Sequence, residues 1–157
     1  HPTDNLSLGA SYAYTYTKVP KTLNPFLSTA TTSVYQNVFI VYTPRNAASG
    51  FIDYSIPVGS RDESVQFHLD AAYAGRQYSF EDENVKAQSS FIVNGRIALA
   101  DIPMSENGTK LTVSVWSRNL FNETHIYRLS YANQNTLGAY GNFNPPRTIG
   151  VEGTVRF

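Results

Sequence analysis

The sequence contains no cysteine, one methionine and one tryptophan, and only 15% of its 157 residues are charged. Without cysteine, neither a disulfide framework nor a thiolate metal site can form. Twelve Lys and Arg residues balance twelve Asp and Glu residues, so the formal net charge is zero. A nucleic-acid-binding surface shows a clustered basic excess, so we expect no nucleic-acid partner.

Long apolar runs are missing too. No stretch of about 18 apolar residues is present, so we expect no transmembrane helix. The chain starts at His1 without a signal peptide, and we interpret it as a mature or excised piece of an exported protein. The three histidines, His1, His68 and His125, show no metal-ligand spacing. No nucleophile-elbow, Walker or dinucleotide motif occurs. We therefore expect no metal, no cofactor and no enzymatic activity.

What the sequence does contain is a two-residue alternation. The final run illustrates it, because apolar and polar residues fall on opposite faces of a strand: Ile149, Val151, Val155 and Phe157 against Glu152, Thr154 and Arg156. Aromatic residues reach 13% and include eleven tyrosines, three of which (Tyr12, Tyr14 and Tyr16) fall on one face of the first strand. Amphipathic rings in that arrangement are typical of an interfacial girdle, although tyrosines on a soluble sandwich would give the same pattern.

The alternation predicts an all-β fold, an antiparallel up-and-down meander of about six long strands. We place the strands at residues 6–17, 48–57, 65–79, 89–102, 111–122 and 147–157. We expect the apolar segment at residues 38–42 to pair locally as an extension of the second strand. The connections alternate between long and short, with short turns at 58–64 and 104–110. Long strands with short turns at one end and longer loops at the other are typical of outer-membrane barrels.

Several segments resemble one known family. An RNLFN segment (Arg118–Asn122), a long polar and aromatic loop, and an NPPRT entry (Asn144–Thr148) into a strand ending in Phe157 resemble the C-terminus of TonB-dependent outer-membrane receptors. The stretch PRNAASGFIDYSIP (Pro44–Pro57) resembles a segment found earlier in those barrels. The resemblance spans most of the chain, and it depends on the order and spacing of these pieces together.

This resemblance implies that residues 1–157 are the C-terminal portion of a plugged barrel of about 22 strands in the bacterial outer membrane. The partners would be outer-membrane lipid, the plug domain, the remaining barrel strands and, indirectly, the TonB system. Phe157 would be recognised by the barrel assembly machinery, or would anchor the last strand at the interface, or both. The intact receptor would import a scarce small-molecule ligand, such as a ferric siderophore, cobalamin or a carbohydrate.

Candidate ligand-binding residues lie in the last long loop and on the polar strand faces. Rings give stacking area and polar side chains give hydrogen bonds to a polar ligand. The predicted contacts are His125, Tyr127, Tyr131, Asn133, Tyr140, Arg76 and Arg118. The alternative is an ordinary surface loop whose side chains only pack and turn. His68 and Asp70 share a strand face with Arg76, and we favour a polar lining over a titratable site for them.

Two other functions remain open from the sequence. A soluble β-sandwich or small-barrel binding module would have a hydrophilic outer surface. A plug-less outer-membrane channel would have the same apolar band as a receptor, flanked by tyrosines.

Overall fold

The computed structural model describes residues 5–59, 62–105, 108–131 and 136–157. Across these ranges the chain is all-β, and none of them contains a helix long and apolar enough to cross a membrane. The described strands are β1 (Leu6–Tyr14), β2 (Thr22–Leu23), β3 (Tyr35–Gln36), β4 (Asn46–Pro57), β5 (Ser64–Ala74), β6 (Ser90–Pro103), β7 (Lys110–Arg118), β8 (Ile126–Ser130), β9 (Tyr140–Phe143) and β10 (Thr148–Arg156).

Six of these strands form one sheet in the order β1-β4-β5-β6-β7-β10, and every neighbouring pair is antiparallel. The remaining strands form two small hairpins, β2–β3 and β8–β9, inside the first and last long connections. The predicted antiparallel meander of six long strands is therefore confirmed. The sheet strands are 9 to 14 residues long, against the five or six usual in globular sheets.

The register separates the sheet into two unlike faces. We call one the apolar face; its larger side chains include Leu8, Ile52, Phe67, Leu69, Ile97, Val113, Val115 and Val151. We call the other the polar face; it carries Asp53, His68, Asp70, Asn94, Arg96, Ser114, Trp116, Arg118 and Glu152. The predicted division of each strand into two faces is confirmed for the paired residues.

The apolar face is more exposed than the polar face, which is the reverse of the arrangement in a water-soluble sheet. On the apolar face Ile97 is 55% exposed and Val151 73% exposed. On the polar face Ala98 is 1% exposed and Ser114 2% exposed. The total accessible surface is 11145 Å², whereas a folded soluble monomer of this mass has roughly 7,900 Å². Val93 is buried, at 5% exposed, but the sheet leaves most of the larger side chains of its apolar face uncovered.

The two short connections, which join β4 to β5 and β6 to β7, begin and end at one end of the sheet, which we call the short-turn end. The three longer connections lie at the other end, the long-loop end. The predicted turn signal Asn107-Gly108 falls in the second short connection. Gly108 has a left-handed φ of 86°, as a tight turn requires, while Asn107 lies outside the described residues.

Three strands end at least three residues earlier than predicted, and the other bounds agree within two residues. The strands predicted at 6–17, 65–79 and 111–122 end at Tyr14, Ala74 and Arg118 instead. The last one ends early because Asn119 adopts a left-handed φ of 51°, which turns the chain out of the ladder. The segment at 38–42 does not extend the next strand; it forms a single parallel bridge, Val41 to Tyr78.

Candidate functional site

The long-loop end carries a connected layer built from the described residues of three loops: loop 1 (residues 15–45), loop 2 (residues 75–89) and loop 3 (residues 119–131 and 136–147). We call this layer the loop cap. Loops 1 and 2 are joined by two backbone hydrogen bonds, from Phe39 N to Glu81 O (2.8 Å) and from Tyr42 N to Tyr78 O (2.9 Å). The rings of Phe39 and Tyr78 also stack with centroids 4.2 Å apart. These contacts fix the first loop against the second.

Loop 2 is joined to loop 3 mainly through the carboxylate of Glu83. Its two oxygens accept hydrogen bonds from Ser130 Oγ (2.5 Å) and Tyr131 N (2.7 Å). Gln88 exchanges two more with Ile126, donating from its backbone N to Ile126 O (2.9 Å) and accepting from Ile126 N at its side-chain oxygen (2.7 Å). The loop cap is therefore tied together across all three loops.

The two motifs that carry the family resemblance meet at the base of loop 3. Asn119, only 5% exposed, donates from Nδ2 to Glu123 O (2.8 Å) and Pro145 O (3.2 Å). Asn122 Oδ1 accepts from Arg147 N at 3.0 Å. Asn144 Oδ1 accepts from His125 N at 2.8 Å. We call this the asparagine junction; it closes loop 3 and directs the chain into β10.

The predicted loop residues occupy different environments. His125 is 8% exposed, and its Nδ1 lies 2.7 Å from Glu123 Oε2, so it lies at the buried base of loop 3. Tyr127, Tyr131 and Tyr140 are exposed on the loop cap. Tyr140 also packs edge-on against the Phe80 ring of loop 2. Asn133 lies outside the described residues.

The remaining predicted residues lie apart from loop 3. Arg118 ends β7 on the polar face, with its guanidinium 5.5 Å from the centre of the Trp116 ring. Arg76 lies in loop 2, where it lines a cleft at the base of the loop cap. Phe157 follows the last residue of β10 and is 98% exposed. The ligand contacts and the assembly signal stay predictions.

A hydrogen-bonded chain of polar groups crosses the polar face. His68 lies between two carboxylates, with Nδ1 2.6 Å from Asp53 Oδ1 and Nε2 3.3 Å from Asp70 Oδ1. Asp70 Oδ2 accepts from Asn94 Nδ2 at 2.8 Å, and Asn94 Oδ1 accepts from Asn119 N at 3.0 Å. The chain links β4, β5 and β6 to the asparagine junction. The same contacts satisfy polar groups, as expected of a polar lining.

Two large rings of the polar face lie over glycines of the edge strands. The Trp116 ring covers Gly150, and the Phe51 ring covers Gly9, in the positions that a Cβ would otherwise occupy. Gly150 is opposite Trp116 in the register, and Gly9 is opposite Phe51. Such cross-strand pairs fix register and pack an edge strand that has a neighbour on one side only.

A cleft of about 250 Å³ lies where β1, β4 and β5 leave the sheet. Four cationic side chains line it, namely Lys18, Arg45, Arg76 and Lys86, and no Asp or Glu does. The aromatic pair Phe39 and Tyr78 forms part of its wall. We call it the cationic cleft. It combines positive charge with flat apolar surface.

At the opposite end, Lys110 Nζ lies 2.9 Å from Asp62 Oδ2 and joins the two short turns. This hydrogen bond and the accompanying charge attraction lower the pKa of Asp62 below its ordinary value. Within the part of the chain that the structure describes, no three His, Asp or Glu side chains are grouped so that they could hold a metal ion.

Comparisons of this chain with protein-family models, with curated proteins and with solved structures find no match. Sequence reasoning missed Glu83, the asparagine junction and three of the four cations of the cleft. The sequence did contain an indication of the asparagine junction, since both motifs are rich in Asn. It contained no indication that the cations of the cleft lie together, because they are far apart in sequence.

Proposed function

We propose that this chain is the C-terminal wall of a TonB-dependent receptor barrel in the bacterial outer membrane. The observation that carries the proposal is the exposed apolar face of the long-stranded sheet, opposite a polar and more buried face. Water disfavours such a surface by about 25 cal/mol for each Å², whereas lipid accommodates it. A soluble binding module would have its apolar side chains covered, so the observation favours a membrane barrel over that alternative.

The dimensions of the apolar face support a bilayer crossing. On β5 the apolar face extends from Val65 to Tyr73, which are eight residues and therefore about 27 Å apart along the strand. At a strand tilt of 40°, this corresponds to about 21 Å along the membrane normal. The lipid-facing band of a barrel is about 25 Å tall. Tyr12, Tyr73 and Phe91 form an aromatic row near the long-loop end. An aromatic row at that level is expected of an interfacial girdle.

The open edges of the sheet also support the proposal. β1 and β10 end the strand order, and each is nine residues long. Long unpaired edges in lipid cost several kcal/mol for each unsatisfied group, so they require neighbouring strands. On this proposal those strands belong to the same receptor. Its short turns face the periplasm, and the loop cap faces the outside, where a ligand would arrive.

The receptor would import a ferric siderophore, cobalamin or a carbohydrate with energy relayed by TonB. This part rests on the resemblance of Arg118–Asn122 and Asn144–Thr148, which the asparagine junction brings into direct contact. The exposed tyrosines of loop 3 supply stacking surface for a polar ligand. The barrel would provide wall, lumen and loops, without a chemical reaction.

The barrel part is tested by light scattering of the chain, expressed alone, with and without detergent. We expect aggregation in buffer, relieved by detergent, because the apolar face and both edges are uncovered. A monodisperse monomer in detergent-free buffer would contradict the proposal and favour the soluble module.

The receptor part is tested by growth of a strain lacking the gene for this protein on limiting iron, cobalamin or carbohydrate. We expect slow growth on one of these nutrients, and the same defect in a strain lacking TonB. Normal growth without TonB, together with a defect in the first strain, would favour the plug-less channel.

A further inference from the structure

We propose that the cationic cleft binds a small soluble anion bearing several carboxylate or phosphate groups. The inference rests on the proposed function for its biological meaning, since the cleft lies in the loop cap that an imported ligand would meet first. The binding itself depends only on the geometry of loops 1 and 2.

The first observation is that the positive charges of the cleft have no ion-pair partners among the described residues. The cleft is lined by Lys18, Arg45, Arg76 and Lys86, and none of them forms an ion pair with any residue that the structure describes. Arg45 instead lies 5.6 Å from the centre of the Tyr16 ring, and Lys86 lies 4.8 Å from that of Tyr78. Ring faces attract cations, but they do not neutralise them. Four positive charges therefore line the cleft, and none has an ion-pair partner among the described residues.

The second observation comes from the strand register. In the β4–β5 pair, Ala47 is opposite Ala74 and Gly75 N donates to Asn46 O at 2.9 Å. Arg45 and Arg76 are the residues next to Asn46 and Gly75, and both side chains line the cleft at this end of the strand pair. Like charges in one cleft repel each other. An anion held between the two guanidinium groups would remove that repulsion through bidentate hydrogen bonds.

The shape of the cleft limits the ligand. A volume of about 250 Å³ accommodates a small molecule rather than a macromolecule. The stacked rings of Phe39 and Tyr78 give a flat wall, and the backbone hydrogen bonds of loop 1 to loop 2 hold that wall in place. A rigid wall reduces the entropy lost on binding. A compact, multiply charged anion fits this combination of charge, size and rigidity.

The test measures binding of inorganic pyrophosphate to the intact protein by isothermal titration calorimetry, in detergent micelles without charged headgroups. We expect saturable binding that weakens as salt is added. The double variant Arg76→Gln/Lys86→Gln removes two cations from the cleft. It should bind about 100-fold more weakly, because each charge-assisted hydrogen bond contributes about tenfold in affinity.

The matched control is Lys21→Gln/Arg147→Gln, which changes the net charge equally outside the cleft. It should bind pyrophosphate within about threefold of the unmodified protein. Equal weakening in both double variants, or no saturable binding at millimolar pyrophosphate, would overturn the anion site. Retention of binding by Arg76→Lys would show that charge, rather than local folding, is responsible.

The phosphate group that the cleft binds could also belong to a lipid headgroup. A second experiment distinguishes a lipid phosphate from a soluble anion. Vesicles containing phosphatidylglycerol should not displace pyrophosphate; displacement by them would overturn the assignment to a soluble anion. The outcome also differs from failure of the proposed function. A detergent-independent monomer that still binds pyrophosphate in the cleft would refute the membrane proposal and leave this site intact.

Discussion

Replacing Val113 by arginine tests the direction of the apolar face. Val113 lies in β7, opposite Leu99 of β6 and Gly153 of β10, and it is 40% exposed on the apolar face. Thr112 precedes it, lies on the polar face and is opposite Thr154. Both residues are β-branched, so replacing either one by arginine loses a similar strand preference. The difference between the two variants therefore reports the surroundings of each face.

The expected cost follows from depth in the bilayer. An arginine facing lipid costs about 2–4 kcal/mol at the midplane and about 0–1 kcal/mol near the interface. Val115 lies near the middle of the apolar rows, and Val113 is one same-face position closer to the short-turn end. We therefore expect about 3 kcal/mol for Val115→Arg and about 2 kcal/mol for Val113→Arg. Thr112→Arg should cost less than about 1 kcal/mol, because the polar face accommodates charge.

The assay is reversible guanidinium unfolding of the protein in phospholipid vesicles. Trp116 is the single tryptophan of residues 1–157 and lies over Gly150. With any tryptophan elsewhere in the receptor replaced by phenylalanine, its fluorescence reports separation of β7 from β10. Equal destabilisation by Val113→Arg and Thr112→Arg would refute the assignment of lipid to the apolar face. A larger loss of stability for Thr112→Arg than for Val113→Arg would indicate that the polar face, not the apolar face, contacts lipid.

Three further predictions concern packing, hydrogen bonding and charge. Gly150→Ala should destabilise by about 1–3 kcal/mol, because the added Cβ would overlap the tryptophan ring, whereas Gly153→Ala meets no atom within 4 Å and should be nearly neutral. Asn119→Ala should cost about 1–3 kcal/mol, since Glu123 N loses its acceptor, Asn119 Oδ1, at the base of loop 3. Carbon-13 NMR should give Asp62 a pKa below that of an ordinary aspartate, and Lys110→Met should return the pKa toward its ordinary value.

Each of these has a clear contrary outcome. Equal stability of the Gly150→Ala and Gly153→Ala variants would show that the packing of the Trp116 ring does not require a residue without Cβ at position 150. The control for the junction is Asn142→Ala, at an exposed position of β9, and a similar loss there would contradict the role of the junction. The lowered pKa of Asp62 means that its contribution to stability is present above the unfolded-state pKa and is lost as pH falls through the folded-state pKa. A contribution that grew on acidification would contradict the Lys110 contact.

The sequence predicts the sheet because the relevant signal is local. A two-residue period in segments such as Leu111–Val115 specifies which side chains share a face, and the spacing of turns specifies that neighbours are antiparallel. The alternation of long and short connections then places the three loops at one end. These features need no knowledge of distant contacts.

The strand ends and the site needed tertiary contacts. Asn119 leaves the strand in a left-handed conformation, and its side chain bonds both Glu123, four residues later, and Pro145 O, 26 residues away. Glu83 joins loops 2 and 3 through partners 47 and 48 residues later. Arg45 and Arg76 line the same cleft although they are 31 residues apart in the sequence. The two-residue alternation and the composition carry no information about contacts between residues so far apart in sequence.

The central claim is that the apolar face contacts lipid and the polar face does not. The most direct measurement is collision of dissolved oxygen and of a water-soluble nickel chelate with nitroxide labels at Thr112, Val113, Ser114 and Val115, in vesicles. Residues 1–157 contain no cysteine, so each single-cysteine variant carries one label in this part of the receptor. We predict high oxygen and low nickel accessibility at Val113 and Val115 and the opposite balance, or protection from both, at Thr112 and Ser114. Nickel accessibility at Val113 and Val115 equal to that of a water-exposed turn would contradict the account.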